Sequence, residues 1–275
     1  LIASEDARAI AAVRRAAPAI AAAAKLYAEA VVEGKRIAYI GAGTSGRLGV
    51  IDAAELPPTF GMPRQGREAA IGIMAGGSRA LRRSAEGAED DAVAGRRAVA
   101  RLGIGTGDLL IGISASSLAP FVRAALEEAK RRGGGTVLVT MNRIARPRYV
   151  DRLIAPVVGP EVLAGSTRMK AGLATKAVLH NLSTTAMVLA GKVYGNRMVD
   201  LKMWCAKLVA RGERMVSELG GVSRPTARRL IREARGDVKA AIVMAHHACE
   251  HHEAVRHLHA AQGWLRHALG SRRRP

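Results

Sequence analysis

The feature that most constrains this chain is a short apolar segment followed at once by a glycine-rich loop that carries hydroxyl groups. Residues 36–61 read RIAYIGAGTSGRLGVIDAAELPPTFG, which indicates a buried strand, a loop with Gly43, Thr44 and Ser45, and the start of a helix. Backbone N–H groups and hydroxyls at a helix N-terminus suit a phosphate, because the helix dipole favours an anion there. The segment therefore predicts a phosphate-binding loop at the end of a first strand.

Strands and helices alternate along the N-terminal part of the chain. Apolar runs predict strands at 37–40, 69–74, 108–113, 136–140 and 153–157. Helical patterns lie between them or before them, at 4–34, 79–102 and 121–132. This order is typical of an α/β fold in which a parallel sheet is flanked by helices, as in a flavodoxin-like sandwich.

The pattern becomes wholly helical after Gly165. It predicts helices at 169–190 and 199–219, with Ser4 as the cap of the first helix of the chain. From Ser223 onward the composition shifts to Arg and His and indicates several short helices. We therefore expect an α/β domain over residues 1–220 and a small helical domain over residues 221–275.

A second loop rich in hydroxyls follows the third predicted strand, at Ser114, Ser116 and Ser117. In a parallel sheet, ligands bind at the carboxyl ends of the strands, so the two loops are expected to converge on one anion. Residues 41–46 also match the GxGxxG fingerprint of dinucleotide-binding proteins. The second strand ends in Ala-Gly-Gly at 75–77, however, and lacks the acid that would hold a ribose. A phosphomonoester is favoured over a dinucleotide, and a plain tight turn is the structural alternative.

Carboxylates near these loops could supply proton chemistry. Glu55 precedes Pro57 and Pro58, which we expect to stop the helix and hold Glu55 in a fixed turn near the loop. A second group of carboxylates lies on the helix predicted at 79–102, at Glu86, Glu89, Asp90 and Asp91. A solvated face is the ordinary explanation for such a run, but it stands out in a chain with a net charge of +20. Two carboxylates that flank one substrate can act as general acid and general base.

Composition argues against several classes of protein. Aromatic residues make up only 3% of the chain, too few for a base-stacking platform, so we expect no nucleic-acid partner despite the charge. The two cysteines, Cys205 and Cys249, cannot form a disulfide framework, and no apolar run approaches the roughly 20 residues that cross a bilayer. We therefore expect a cytoplasmic protein without a membrane partner. His247 and His251 have a spacing that could bind a metal, but no scaffold surrounds them and we predict no metal site.

Several segments resemble the N-acetylmuramic acid 6-phosphate etherases, which belong to the sugar isomerase (SIS) superfamily of phosphosugar-binding α/β domains. They are GAGTSGRLGVIDAAELPPTFG at 41–61, AGGSRALRRSAEGAEDD at 75–91, GPEVLAGSTRMKAG at 159–172 and GKVYGNRMVD at 191–200. The resemblance runs through nearly all of the chain. It implies an SIS-type sandwich and a homodimer whose subunits share active sites.

The resemblance also implies a lyase that needs no metal or organic cofactor. The family cleaves the D-lactyl ether at C3 of N-acetylmuramic acid 6-phosphate by elimination and then hydration, and its acid/base glutamates fall on Glu55 and Glu89. We assign Glu55 to protonation of the departing lactate and activation of water, and Glu89 to the C2 proton. Additional substrate-binding candidates precede or open the helix predicted at 169–190, at Ser166, Thr167, Arg168 and Lys170. For Ser166, a simple helix cap is the alternative interpretation.

The chain departs from the family pattern near the predicted pocket. Where the family has Ser-Gly-x-Thr-Pro, this chain has Ser116-Ser117-Leu118-Ala119-Pro120; further departures are Leu173, Thr175 and Arg143. These departures favour one alternative, a non-catalytic phosphosugar sensor. A phosphosugar isomerase is the other alternative, because it would share the phosphate loop and the abstraction of the C2 proton.

Overall fold

The protein is described by a computed structural model that covers residues 1–62, 69–117 and 119–270. The N-terminal elements are α1 (Ile2–Arg15), α2 (Ala17–Val32), β1 (Ile37–Gly41), α3 (Gly43–Phe60), β2 (Ala70–Met74), α4 (Ala92–Leu102), β3 (Leu109–Ile113), α5 (Pro120–Arg131), β4 (Gly135–Val139) and β5 (Arg152–Ile154). The C-terminal elements are α6 (Lys170–Leu189), β6 (Val193–Tyr194), β7 (Arg197–Met198), α7 (Ala206–Gly220), α8 (Arg224–Glu233), α9 (Val238–His247), α10 (His251–Ala260) and α11 (Leu265–Ala268). Short 3-10 helices at Ser78–Leu81 and Ala88–Asp90 lie between β2 and α4.

Within the described ranges, five strands form one sheet in the order β2-β1-β3-β4-β5. Every neighbouring pair in this sheet is parallel, which confirms the predicted α/β fold. The chain runs outward from β1 to β2 in one direction and from β3 to β4 in the other. The loops that follow β1 and β3 therefore lead away from each other. Open parallel sheets bind ligands in the crevice at such a point.

Helices cover both faces of this sheet, and alternate side chains of β1 divide between them. Ala38 and Ile40 are fully buried in a cluster with residues of α4 and α5. On the other face, the Tyr39 hydroxyl hydrogen-bonds with Tyr27 of α2 (2.9 Å) and donates to Asp52 of α3 (2.7 Å). The strand is apolar throughout because both faces are covered.

The chain divides into two compact units. One comprises residues 1–55 and 63–186, and the other comprises residues 56–62 and 187–275. The second unit contains the β6–β7 hairpin and helices α7–α11, packed around a core of buried apolar side chains such as Val216, Ile242 and Val243. This division falls before the boundary expected near Gly220-Gly221. The phosphosugar-binding domain over residues 1–220 and the small helical domain over residues 221–275 stay predictions.

The helix predicted over residues 4–34 is wrong as a single element. It is divided into α1 and α2 at Ala16, and Pro18 stands in the first turn of α2, where its missing N–H costs nothing. Ser4 does not cap α1, because the helix already begins at Ile2 and the Ser4 hydroxyl donates to the Leu1 carbonyl oxygen at 2.7 Å.

The helix predicted over residues 79–102 is also wrong in its first half. Regular α-helix begins only at Ala92, where the Asp91 carboxylate caps it by accepting from the Ala94 N–H at 2.8 Å. Gly76, Gly77 and Gly87 have positive φ angles, a backbone conformation that ends or prevents a helix. The acidic residues therefore lie on a loop with short 3-10 turns rather than on one helical face.

Candidate functional site

The glycine loop makes a close turn between β1 and α3. A Cβ added to Gly41 would lie 2.7 Å from the Gly46 nitrogen, so the strand end and the helix start touch at backbone distance. Gly43 opens α3 with φ +54°, and Thr44 and Ser45 occupy the first helical turn. A helix start presents N–H groups that can bind an anion, and the hydroxyls of Thr44 and Ser45 lie in the same turn, so the phosphate-binding role of this loop stays a prediction.

The second predicted loop leaves the sheet next to the first. Ser114 is buried directly after β3, Ser116 is exposed, and Ser117 is half-buried with a left-handed φ of +62°. The Asn142 side chain, after β4, donates to the Ser116 carbonyl oxygen at 3.2 Å and joins this loop to its neighbour. Leu118, one of the residues that depart from the family pattern, lies outside the described residues.

The start of α6 also approaches the glycine loop. A Cβ added to Gly172 would lie 3.5 Å from Thr44 Cγ2 and 3.6 Å from the Thr167 carbonyl oxygen. Thr167 and Arg168 are exposed in the segment before α6, and Ser166 is half-buried there. The structure thus brings the first loop and the residues before α6 into one neighbourhood.

Two glutamates of this chain bind polar groups at the start of α6. The Glu161 carboxylate accepts from the N–H groups of Lys170 and Ala171, each at 2.9 Å, and so takes the capping role considered for Ser166. The Lys170 ammonium is almost fully buried and pairs with Glu5 of α1 at 2.5 Å. The hydrogen bond from Lys170 is the main reason that the pKa of Glu5 lies below its ordinary value. A substrate anion would have to compete with Glu5 for this ammonium.

A cavity of about 290 Å³ lies between the glycine loop and the acidic loop. Gly43 and Arg47 of α3 form one part of its lining, and Glu86 and Glu89 form another. Glu89 lies in the 3-10 helix Ala88–Asp90 and is exposed. The cavity thus places a carboxylate, which could transfer protons, beside the helix start that could hold a phosphate.

Glu55 does not lie in the turn that the sequence predicts. Pro57 and Pro58 are inside α3, which continues to Phe60, so Glu55 is an exposed residue within the helix. The fixed φ of proline is compatible with a helix, and each ring removes one hydrogen bond without ending this one. Glu55 is not among the described residues that line the 290 Å³ cavity.

Buried hydrogen bonds fix the position of α3 against the sheet. Asp52, one helical turn before Glu55, accepts from Tyr39 of β1 at 2.7 Å and from Ser183 of α6 at 3.4 Å. Since the single Tyr39 proton goes to Asp52, Tyr27 must be the donor in its 2.9 Å bond with Tyr39. Burial raises the pKa of both tyrosines well above the ordinary value, so they stay neutral.

Sequence reasoning missed Arg47 and Glu161. Arg47 lies one helical turn after Gly43, and its side chain reaches the segment after β2. Glu161 lies in the segment that resembles the family, but nothing in the local pattern links it to a helix that begins at Lys170. Thr175, counted among the family departures, is buried and donates to the Ala171 carbonyl oxygen at 2.7 Å, so its hydroxyl is used within α6.

Two histidines of α9 and α10 make local contacts. The His247 ring lies 2.8 Å from the Ala268 carbonyl oxygen and stacks on His257. Among the described residues, no cluster of three or more His, Cys, Asp or Glu side chains could hold a metal ion. The described helices also include none that is long and apolar enough to cross a membrane.

The parallel strand order and the helices on both faces define an α/β protein whose ligand crevice is expected at the switch point between β1 and β3. Residues 19–130 match the family described as the glucokinase regulatory protein N-terminal SIS domain. The chain is 46% identical over 268 residues to the N-acetylmuramic acid 6-phosphate etherase of Yersinia pestis (strain Pestoides F), across 96% of this chain and 89% of that protein.

It is 45% identical over 245 residues to the N-acetylmuramic acid 6-phosphate etherase of Rhodopirellula baltica, across 89% of this chain and 80% of that protein. The chain therefore belongs to the N-acetylmuramic acid 6-phosphate etherase family. Among solved structures, phosphoheptose isomerase GmhA from Neisseria gonorrhoeae is 18% identical with a TM-score of 0.44, over 68% of this chain and 96% of that chain.

Proposed function

We propose that this protein is a carbon–oxygen lyase that cleaves N-acetylmuramic acid 6-phosphate to N-acetylglucosamine 6-phosphate and D-lactate, in the recycling of cell-wall amino sugars. The observation that carries the proposal is the cavity that joins Gly43, at the start of α3, to the carboxylate of Glu89. Membership of the etherase family supports it, since two relatives of that name match across most of the chain.

The proposed reaction begins at the phosphate end of the substrate. The amides and hydroxyls of Gly43, Thr44 and Ser45 would hold the 6-phosphate, because a helix N-terminus favours an anion. The serines after β3 would bind the same phosphate. Residues 166–168 would contact the phosphate or the lactyl carboxylate, and Arg168 is suited to the carboxylate through two parallel hydrogen bonds.

Proton transfers complete the proposed cycle. In the open-chain sugar the C2 proton is acidic because it is α to the C1 aldehyde, and Glu89 removes it. The C3–oxygen bond then breaks, and Glu55 protonates the departing lactate oxygen. Glu55 next removes a proton from water, which adds at C3, and the C2 proton is returned. The sum is one water consumed and one lactate released, and the side chains alone carry the protons.

We also propose that the protein works as a homodimer. Exposed apolar side chains flank the segment before α6, with Leu163 63% exposed and Val162 and Leu173 each more than a third exposed. Such side chains are suited to an interface between copies. Sedimentation equilibrium should give twice the chain mass, and Leu163→Asp should lower that mass; a wild-type monomer at micromolar concentration would contradict this proposal.

We also propose a cytoplasmic location, because both cysteines are free thiols. Cys205 and Cys249 are both free thiols, as expected in a reducing compartment. Fractionation of the source cells should recover the protein with cytoplasmic markers, and recovery with periplasmic or secreted markers would contradict the location.

The central experiment is incubation of the purified protein with N-acetylmuramic acid 6-phosphate and an assay for D-lactate. Lactate release in D₂O with deuterium at C2 of the product supports the lyase. Glu55→Gln and Glu89→Gln should each lower kcat by about 10²–10⁴-fold, the range for loss of a general acid or base, with substrate binding nearly unchanged. Asp90→Asn is the matched control beside Glu89 and should retain activity. Binding without turnover would indicate a sensor, and aldose–ketose conversion of a phosphosugar would indicate an isomerase.

A further inference from the structure

The segment that carries Glu89 has little structure of its own to hold it in place. Between the 3-10 helices Ser78–Leu81 and Ala88–Asp90, residues 82–87 are all exposed. At its C-terminal end the segment is held by α4, which Asp91 caps and which packs on α5. What holds its N-terminal end relative to the glycine loop is therefore decisive for the position of the carboxylate.

The pairing of β2 with β1 brings this end near the glycine loop, and Arg47 adds a direct side-chain connection. Its Nη2 donates to the Ala80 carbonyl oxygen at 2.7 Å, and its Nε donates to the Leu81 carbonyl oxygen at 3.1 Å. The two donors lie on one edge of a planar guanidinium, and they bind consecutive carbonyl groups. Such a forked contact fixes both distance and orientation, which a lysine ammonium cannot do.

The other end of this connection is rigid. Arg47 directly follows Gly46, whose backbone lies so close to the end of β1 that an added Cβ would stand 2.5 Å from the Gly41 carbonyl oxygen. The Gly46 N–H also donates to the Ala42 carbonyl oxygen at 3.1 Å, so the start of α3 is held against the end of β1. The guanidinium thus has a defined place relative to Gly43, Thr44 and Ser45. It also lines the same 290 Å³ cavity as Glu89.

We propose that Arg47 is a positioning residue that sets the distance between the phosphate-binding loop and the acid/base residue Glu89 through the carbonyl groups of Ala80 and Leu81. This inference rests on the proposed function. Binding energy gained at the phosphate is useful only if C2 then lies within reach of the carboxylate, and a misplacement of about 1 Å can cost about 10²-fold in rate.

The test compares Arg47→Ala, Arg47→Lys and the control Arg83→Ala, an exposed arginine of the same loop. We expect kcat for D-lactate release to fall about 10²-fold in Arg47→Ala. The inhibition constant of the product N-acetylglucosamine 6-phosphate should change less than about threefold, since the phosphate loop is intact. Arg47→Lys should recover only a small part of kcat, added guanidinium ion should partly restore Arg47→Ala, and Arg83→Ala should behave as wild type.

A second measurement tests the inference without the reaction. Amide hydrogen exchange of residues 80–90 should be faster in both Arg47 variants, while exchange of β1 and β3 is unchanged. Unchanged exchange and a kcat within about twofold of wild type would overturn the inference, as would weakened product binding with full kcat, which would make Arg47 a direct phosphate ligand. A wild-type protein that releases no lactate would instead contradict the proposed function, and the exchange result would still decide the role of Arg47.

Discussion

At the scale of single residues, the two proposed acid/base glutamates differ in how well they could be located from the sequence. Glu89 was assigned through the family resemblance; the helix predicted to carry it is wrong at that position, but the residue lines the cavity beside the glycine loop. The position of Glu55 was inferred from two prolines, and α3 continues through both of them. A proline removes a donor but keeps a helical φ, so it marks the end of a helix only when the neighbouring structure allows the end there.

Ser117 offers a test of strain at this site. It is a non-glycine residue with φ +62°, and the resemblance places it where the etherase family has glycine. Because a Cβ is disfavoured in this backbone region and glycine is not, Ser117→Gly should raise the free energy of unfolding by about 0.5–1 kcal/mol. Urea unfolding would measure the change. Ala115→Gly, in the same loop but without a positive φ, is the control and should lower stability; an equal effect of both substitutions would contradict the assignment of strain.

At the scale of elements, the strands were predictable and the joints between elements were not. The apolar runs at 37–40 and 108–113 coincide with β1 and β3 to within a residue at each end, because a strand covered on both faces must be apolar throughout. The helix predicted at 199–219 begins only at Ala206, since the hairpin β6–β7 and residues 201–205 precede it. The contacts at the site that decide geometry, such as Arg47 with Ala80 and Lys170 with Glu5, join residues distant in sequence. No local pattern carries that information.

At the amino-terminal end of the strands, an ion pair should make stability depend on pH. Asp108, directly before β3, accepts from the Arg36 backbone N–H at 2.9 Å and from its guanidinium at 2.5 Å. Burial acts to raise the pKa of Asp108, but the hydrogen bonds from Arg36 and the Gly105 N–H outweigh it and leave the pKa below its ordinary value. The stabilisation is therefore present above the unfolded pKa of about 3.9 and is lost as the pH falls through the lower folded pKa.

Asp108→Asn should lower the free energy of unfolding at pH 7 by about 2 kcal/mol, since it leaves the Arg36 donors poorly satisfied. The difference from wild type should begin to shrink below about pH 4, where the aspartate of the unfolded wild type becomes protonated, and should be lost as the pH falls through the lower pKa of the folded state. Denaturant unfolding at several pH values would measure this, with the exposed Asp90→Asn as the control. A difference that stays constant from neutral to acidic pH would contradict the role given to the ion pair.

At the scale of the whole molecule, the net charge of +20 matters for the encounter with substrate rather than for the fold. N-acetylmuramic acid 6-phosphate carries a phosphate and a carboxylate, so the positive field should draw it in. Salt shortens the reach of that field to about 3 Å at 1 M, against about 30 Å at 0.01 M. We expect kcat/KM for D-lactate release to fall several-fold as sodium chloride is raised from about 0.01 M to 0.5 M, while kcat stays nearly constant because the bound complex is screened far less. Sucrose at equal osmolarity is the control and should leave kcat/KM unchanged. A parallel fall of kcat would place the salt effect on the site itself, and a flat kcat/KM would remove any role of the field in substrate capture.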